Sequence, residues 1–217
     1  MFGEIALPKR AWPRYTVKVP HRSRGEDKIQ TFRNHPFQLF DRNPFIGTFR
    51  CERLDFMIAN VHLYYGAAKS RDRKNYARRV LEIYALARWA ERHANSDAAY
   101  DNDIVLTGDL NVPTMDQSEP AYKALLRSGL QPTQYASKAG SNLDGTKAYD
   151  QLAIMPGHLG RIQTSSGVFD FDNFVYRRLR NRLIDQNTEQ RATKLFRSYL
   201  RAYLSDHRPL WIEFQTR

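Results

Sequence analysis

Four short polar clusters in this chain each follow or open an apolar run: Asn60-Val61-His62, Gly108-Asp109-Leu110-Asn111, Tyr149-Asp150-Gln151 and Ser205-Asp206-His207. In the second cluster a carboxylate and a carboxamide stand two residues apart. Gly108 is expected to permit a tight turn where its strand ends, so that Asp109 and Asn111 project to the same side. That pair suits a hard cation and a phosphate oxygen. Singly, each cluster has an ordinary reading: Gly, Asp and Asn are the common turn residues, and an isolated histidine after a strand is usually structural. Jointly, two histidines, three aspartates and one asparagine at strand ends are the groups that hydrolytic phosphoryl chemistry requires. Imidazoles move protons near neutrality, and carboxylates hold water or a metal.

Such clusters can meet only if the strands that carry them share a sheet end. Period-two patterning predicts strands over Pro44 to Arg50 and Leu54 to His62, joined as a hairpin about Cys51 to Arg53. Further strands are expected at Asp103 to Val105, Ala148 to Met155 and Leu210 to Phe214. Ser70 reads as an N-cap for a helix whose apolar stripe is Tyr76, Val80, Ile83, Tyr84 and Ala87. A second helix is expected over Glu119 to Ser128, closed by Gly129, and a third over Thr188 to Tyr199. The first 44 residues offer two weaker strands, Tyr15 to Val19 and Phe37 to Phe40, with a turn at Arg22 to Asp27. Phe169 to Phe174 is aromatic and acidic, and Tyr176 to Arg182 is densely basic. Strands separated by helices, with no internal repeat or low-complexity linker, imply one α/β domain over residues 1–217.

Composition narrows the partner. Lys and Arg number 34 against 23 Asp and Glu, for a net charge of +11. That excess favours a polyanion, nucleic acid before an anionic membrane surface. Arg71, Arg73, Arg78, Arg79, Arg177, Arg178, Arg180 and Arg182 are the candidate phosphate contacts, against a solvated-face reading for the same residues. The single cysteine, Cys51, excludes an intramolecular disulfide and points to a reducing compartment, with the cytoplasm favoured. No apolar run reaches membrane-spanning length, and the opening residues lack the pattern of a signal peptide.

Taken in order, the four clusters resemble the endonuclease/exonuclease/phosphatase superfamily over roughly residues 45–214. Ala148-Tyr149-Asp150-Gln151 and Leu204-Ser205-Asp206-His207 are most similar to its deoxyribonuclease I-like branch. The Cys-Asp-Arg that inositol phosphatases carry around the third motif is absent. The resemblance implies an α/β (α+β) fold, a β-sandwich of two mixed sheets flanked by helices in four layers. It implies a metal-dependent phosphodiester hydrolase, a nuclease acting on DNA in preference to RNA, with Mg2+ or Mn2+ as cofactor. In that scheme Asp109 orients the attacking water beside the metal, and Asn111 donates to a phosphate oxygen. Asp150 fixes the tautomer of His207, which serves as general base or phosphate contact. His62 is general acid or charge stabiliser, and Asp206 is a metal ligand or its anchor. The alternatives are a catalytically impaired nucleic-acid-binding module of the same fold, and a phosphatase or phospholipid phosphodiesterase.

The resemblance also implies an N-terminal part that these residues do not match. Superfamily members begin with an Asn-bearing strand and a strand ending in Gln-Glu, whose Glu is the principal metal ligand. Nothing before Phe45 corresponds to either, and Met1 to Pro8 resembles a mid-domain segment, so Glu4 is not expected to replace that ligand. The chain is therefore expected to correspond to the C-terminal two-thirds of the domain, with an incomplete metal site. The strand at Leu210 to Phe214 is expected to lack partners both for its backbone and for its apolar face.

Overall fold

The apolar alternation from Leu54 to His62 builds the central strand of a mixed sheet, and the remaining elements are arranged around it. The computed structural model describes residues 2–12, 14–33, 37, 39–66, 73–133, 140–174 and 176–215. Its strands are β1 (Phe2–Glu4), β2 (Val17–Ser23), β3 (Glu26–Phe32), β4 (Phe45–Cys51), β5 (Leu54–His62), β6 (Ile104–Asp109), β7 (Gln131–Pro132), β8 (Asp150–Ile154), β9 (Gln163–Val168) and β10 (Leu210–Phe214). Its helices are α1 (Arg73–Ala94), α2 (Pro120–Leu126), α3 (His158–Ile162), α4 (Phe171–Phe174), α5 (Arg177–Gln186) and α6 (Glu189–Tyr203).

The large sheet has the order β1-β4-β5-β6-β8-β7, and among these pairs only β5 and β6 run parallel. A parallel pair needs a crossover, and α1 supplies it. Along β5, Met57, Ala59 and Val61 point to one face, where Ile104, Leu106 and Ala153 join them against Val80, Ile83, Tyr84 and Ala87 of α1. Each such aliphatic side chain contributes about 1.5–3 kcal/mol on burial. The opposite face carries Val105, Leu152 and Ile154, onto which Leu210, Ile212 and Phe214 of β10 pack. The second layer, among the described residues, is the antiparallel pair β9 and β10.

The mixed α/β architecture, the β4–β5 hairpin and the stripe of α1 agree with the sequence pattern. Elsewhere the structure differs. Phe37 and Phe40 lie outside any strand and are buried as an edge-to-face pair 5.0 Å apart, with Trp12 against Phe37 at 6.0 Å. Their partner in pattern, β3, is instead the charged stretch from Glu26 to Phe32, which pairs with β2 through a turn at Arg24 and Gly25 with φ of 51° and 84°. Two successive positive φ values match the twist of a tight hairpin, so the turn holds the register although β3 buries little. The apolar face of β10 does not lack partners: Leu210, Ile212 and Phe214 are half-buried against the large sheet. Its backbone pairs with β9 on one edge, and among the described residues no strand pairs with the other. Ser70 and Arg71 lie outside the described residues.

Candidate active site

Register places three of the four clusters side by side. His62 of β5 is opposite Asp109 of β6, and Asp109 is opposite Asp150 of β8. Residues directly opposite across neighbouring strands point to the same face, so one imidazole and two carboxylates form a row across three strands. By the two-residue alternation this is the face of Val105 and Leu152, the face that β10 covers further along. His207 arrives from the other layer, in the turn leading into β10.

The row and His207 converge. The Nδ1–H of His207 donates to Asp150 Oδ2 at 2.6 Å. Asp109 Oδ2 lies 3.8 Å from Nε2 of His207 and 3.8 Å from Nε2 of His62, so one carboxylate oxygen stands between two imidazoles. The Asp150 hydrogen bond pushes His207 up to about 9, against the opposing effect of burial, with the charges of Asp150, Asp109 and Asp206 adding to it. Burial also pushes the Asp109 carboxyl above the usual carboxylate range; Asp150 adds to this, while the Asn111 N–H and the two histidines oppose it. Desolvation disfavours an unpaired carboxylate, and neighbouring cations restore it.

The local backbone explains how these groups are held. Gly108 is not a turn residue but part of β6, with φ 125°, and a Cβ there would lie 2.1 Å from the Val61 carbonyl oxygen. The side chain is missing because β5 and β6 approach too closely for one. The turn falls at Asn111, whose φ is 54° and whose N–H donates to Asp109 Oδ1 at 2.7 Å. Asn111 is buried, and its Nδ2 donates to the Leu63 carbonyl at 2.8 Å, tying this turn to the residue after His62.

Several positioning residues are not evident as a motif. Ser141, fully buried, accepts from the Asp150 N–H at 2.8 Å, and its carbonyl accepts from Arg208 N at 2.6 Å. One residue thus ties the third cluster to the fourth. Ser205 Oγ accepts from the His207 N–H at 2.9 Å. Glu82, 1% exposed on α1, accepts from Tyr64 N at 2.9 Å and Asp41 N at 3.3 Å and lies 3.4 Å from Arg78 Nε. A glutamate in an otherwise apolar helix stretch, Leu81 to Leu86, is the one sequence signal that marks it. Tyr149 sits 6.1 Å from the His207 ring.

Among the described residues, no group of three or more His, Cys, Asp or Glu side chains is arranged to hold a metal ion. Of the acidic residues before Phe45, Glu4 accepts from Asn43, Glu26 pairs with Lys28, Asp41 lies near Arg78, and Asp27 is exposed in the β2–β3 hairpin. Three arginines of α1 are also engaged within the fold. Arg73 donates to Gln30, Arg79 donates to the Tyr65 carbonyl, and Arg78 covers the Tyr64 ring at 3.9 Å. The arginines of α5 differ, and Arg177, Arg178 and Arg182 are exposed. Beside the dyad, a cavity of about 500 Å3 is lined by Thr107, Gly108, Asp150, Phe171, Tyr176 and His207 among others. No helix among the described residues is long and apolar enough to cross a membrane.

No protein-family model matches the sequence, and no curated sequence matches it. Among solved structures, the chain is similar to a variant of the 3′ phosphatase NExo from Neisseria bound to product DNA hairpin, at 15% identity over 98% of this chain and 87% of that one, TM-score 0.49. It is also similar to an endonuclease/exonuclease/phosphatase family protein from Bacteroides thetaiotaomicron, at 18% identity over 60% and 47%, TM-score 0.41. A third is a variant of beta toxin from Staphylococcus aureus with bound magnesium ions, at 13% identity over 58% and 46%, TM-score 0.45. The chain spans under half the length of the latter two structures. With TM-scores below 0.5, the overlap leaves function to be argued from the site.

Proposed function

We propose that this chain is a phosphodiester hydrolase of the endonuclease/exonuclease/phosphatase kind, acting on nucleic acid, with DNA ahead of RNA. One observation carries the reading: Asp109 is held between His62 and His207, and His207 is in turn held by Asp150. An acceptor flanked by two proton-bearing rings, one of them oriented by a second carboxylate, is suited to moving a proton from water while opposite charge is stabilised nearby.

The roles follow from the electrostatics. With its acidity weakened by Asp150, His207 is cationic at neutral pH and serves as phosphate contact and charge stabiliser, not as base. Asp109, whose pKa is raised by burial, orients the attacking water and accepts its proton. Water oxygen bonds to phosphorus, the ester P–O bond opposite breaks, and His62, its side chain 54% exposed at the mouth of the row, protonates the departing oxygen. Asn111 uses one amide hydrogen for Leu63 and has a second for a phosphate oxygen.

A divalent ion such as Mg2+ suits the donor set, because burial and Asp150 both disfavour charge on Asp109, and a cation relieves both. Asp109 and the exposed Asp206 would hold it with waters and substrate oxygens, as Mg2+ commonly binds through one or two carboxylates. When bound it would supply Lewis-acid neutralisation of the phosphate.

The test is hydrolysis of end-labelled DNA and RNA oligonucleotides with Mg2+ and with EDTA. Cleavage that needs Mg2+ and is lost in His207→Ala and Asp109→Asn supports the reading. Absence of cleavage under all metals, with binding retained, would leave a nucleic-acid-binding module; cleavage of sugar phosphates or phospholipids alone would move the substrate.

A further inference from the structure

Between β9 and β10 the chain leaves both sheets and folds as α4, α5 and α6. This helical excursion has a core of its own, Phe171, Phe196 and Leu200, built on Leu143. Leu143 belongs to the loop that also carries Ser141, and its N–H donates to the Asp206 carbonyl at 2.8 Å. Two ion pairs fix the same junction: Arg208 with Asp170 at 3.2 Å and Arg197 with Asp144 at 3.0 Å. The helices are therefore held in place relative to the Asp150–His207 dyad.

Aromatic rings lead outward from that dyad. Phe171 and Tyr176 help line the cavity that Asp150 and His207 open onto. Beyond them the ring centroids step from Phe171 to Tyr176 in 6.3 Å, to Tyr199 in another 6.3 Å, and to Tyr203 in 4.8 Å. Phe174 stacks on Phe169 at 5.8 Å. Rings that served only to hold the helices together would be covered, yet Tyr203 is 77% and Phe174 73% exposed. The same helical unit is strongly basic: α5 and α6 carry seven Arg and one Lys against one Asp and one Glu.

We propose that α4, α5 and α6 form a track for single-stranded nucleic acid that delivers the strand to the dyad cavity. Phe174, Tyr199 and Tyr203 stack on unpaired bases, and the arginines neutralise the phosphates between them. This rests on the nucleic-acid reading above and adds strand preference to it. Exposed ring faces on a strongly basic helical unit match a strand whose bases are free to stack; a duplex keeps its base faces occupied. The charge is complementary to the phosphate backbone, and the row of rings ends at the residues proposed to cleave it.

Binding in EDTA tests this without any hydrolysis. Fluorescence anisotropy compares a short labelled single strand with the blunt duplex of the same sequence at equal salt. The single strand should bind more tightly, and Tyr199→Ala with Tyr203→Ala should weaken it by about tenfold or more, while the paired Tyr→Phe changes, which keep the rings, hold affinity within about twofold. Tyr203→Ala alone, at a largely exposed position, gives the same direction of change without risk to the helical core. Equal affinity for single strand and duplex, or undiminished binding by the alanine variants, would overturn the proposal. So would tight sedimentation with anionic vesicles that oligonucleotide does not displace. A chain that binds single strands but never cleaves keeps this inference and loses the hydrolase reading; one that cleaves duplex without strand preference does the reverse.

Discussion

His207 Nδ1 and Asp150 Oδ2 lie 2.6 Å apart across 57 residues of sequence. The contact joins the turn before β10 to the start of β8, and so joins the two layers at the site. Asp150→Asn would keep the shape and remove the charge. We expect activity to fall by about 100- to 1,000-fold, the range for loss of one preorganised group that stabilises charge in the transition state. The His207 titration, followed by NMR, should fall from about 9 towards its ordinary value. The sign for stability follows. A histidine raised on folding stabilises fully below its unfolded value, near 6.5, and loses that contribution as pH rises through about 9. Urea denaturation should therefore separate wild type from Asp150→Asn at pH 6 and bring them closer above pH 9.5; an equal gap at both pH values would refute the dyad.

Gly108→Ala places a Cβ 2.1 Å from the Val61 carbonyl oxygen at a residue with φ 125°. Neither the backbone conformation nor the space tolerates it. We expect a loss of about 2–4 kcal/mol from strain and from separation of β5 and β6. A shifted urea midpoint measures this, and His62 and Asp109, paired next to this position, should lose their register and the activity with it.

Glu82→Ala would leave the partly buried N–H groups of Tyr64 and Asp41 without their acceptor. A fully buried N–H left unsatisfied costs about 1–3 kcal/mol, and water near these two brings the cost towards the lower end for each. Burial pushes Glu82 above the usual carboxylate range, so its charged form is held by those donors and by Arg78, and cannot be replaced by packing alone. Because Tyr64 lies two residues beyond His62, activity should decline together with stability. Glu82→Gln, which keeps one acceptor oxygen, should fall between wild type and Glu82→Ala in both measurements.

What could be read from the sequence follows the period of its apolar residues. Leu54 to His62 alternates, and the stripe from Tyr76 to Ala87 keeps helical spacing, so β5 and α1 were legible with their buried faces. The strand ends bearing His62, Asp109 and Asp150 were legible as a set, and the register brings them together. β3 was not, because its burial is slight and its register is set by the turn at Arg24 and Gly25. β9 was missed for a similar reason: Gln163 to Val168 is polar and small, and its partner β10 lies far along the chain. The roles of Ser141 and Glu82 depend on contacts between residues far apart in sequence, such as Ser141 with Arg208 and Glu82 with Asp41, which no local pattern encodes.

The basic residues divide by location, and salt dependence can read that division. Each phosphate neutralised releases condensed counterions, so the slope of log affinity against log salt counts contacts at about 0.7 per phosphate for a single strand. On α1, Arg78 Nε lies 3.4 Å from Glu82 Oε1 and the guanidinium covers the Tyr64 ring, so Arg78 is engaged within the fold. Arg177, Arg178 and Arg182 are exposed on α5, the helix that follows Tyr176. Replacing these three by Gln should reduce the slope by about 2 and leave the urea midpoint nearly unchanged, since surface substitutions away from packed features typically shift stability by under about 0.5 kcal/mol. Arg78→Gln should do the opposite, lowering the midpoint while the slope stays near its wild-type value. If the triple substitution leaves the slope intact, the arginines of α5 are a solvated face, and the nucleic acid takes another path to His207.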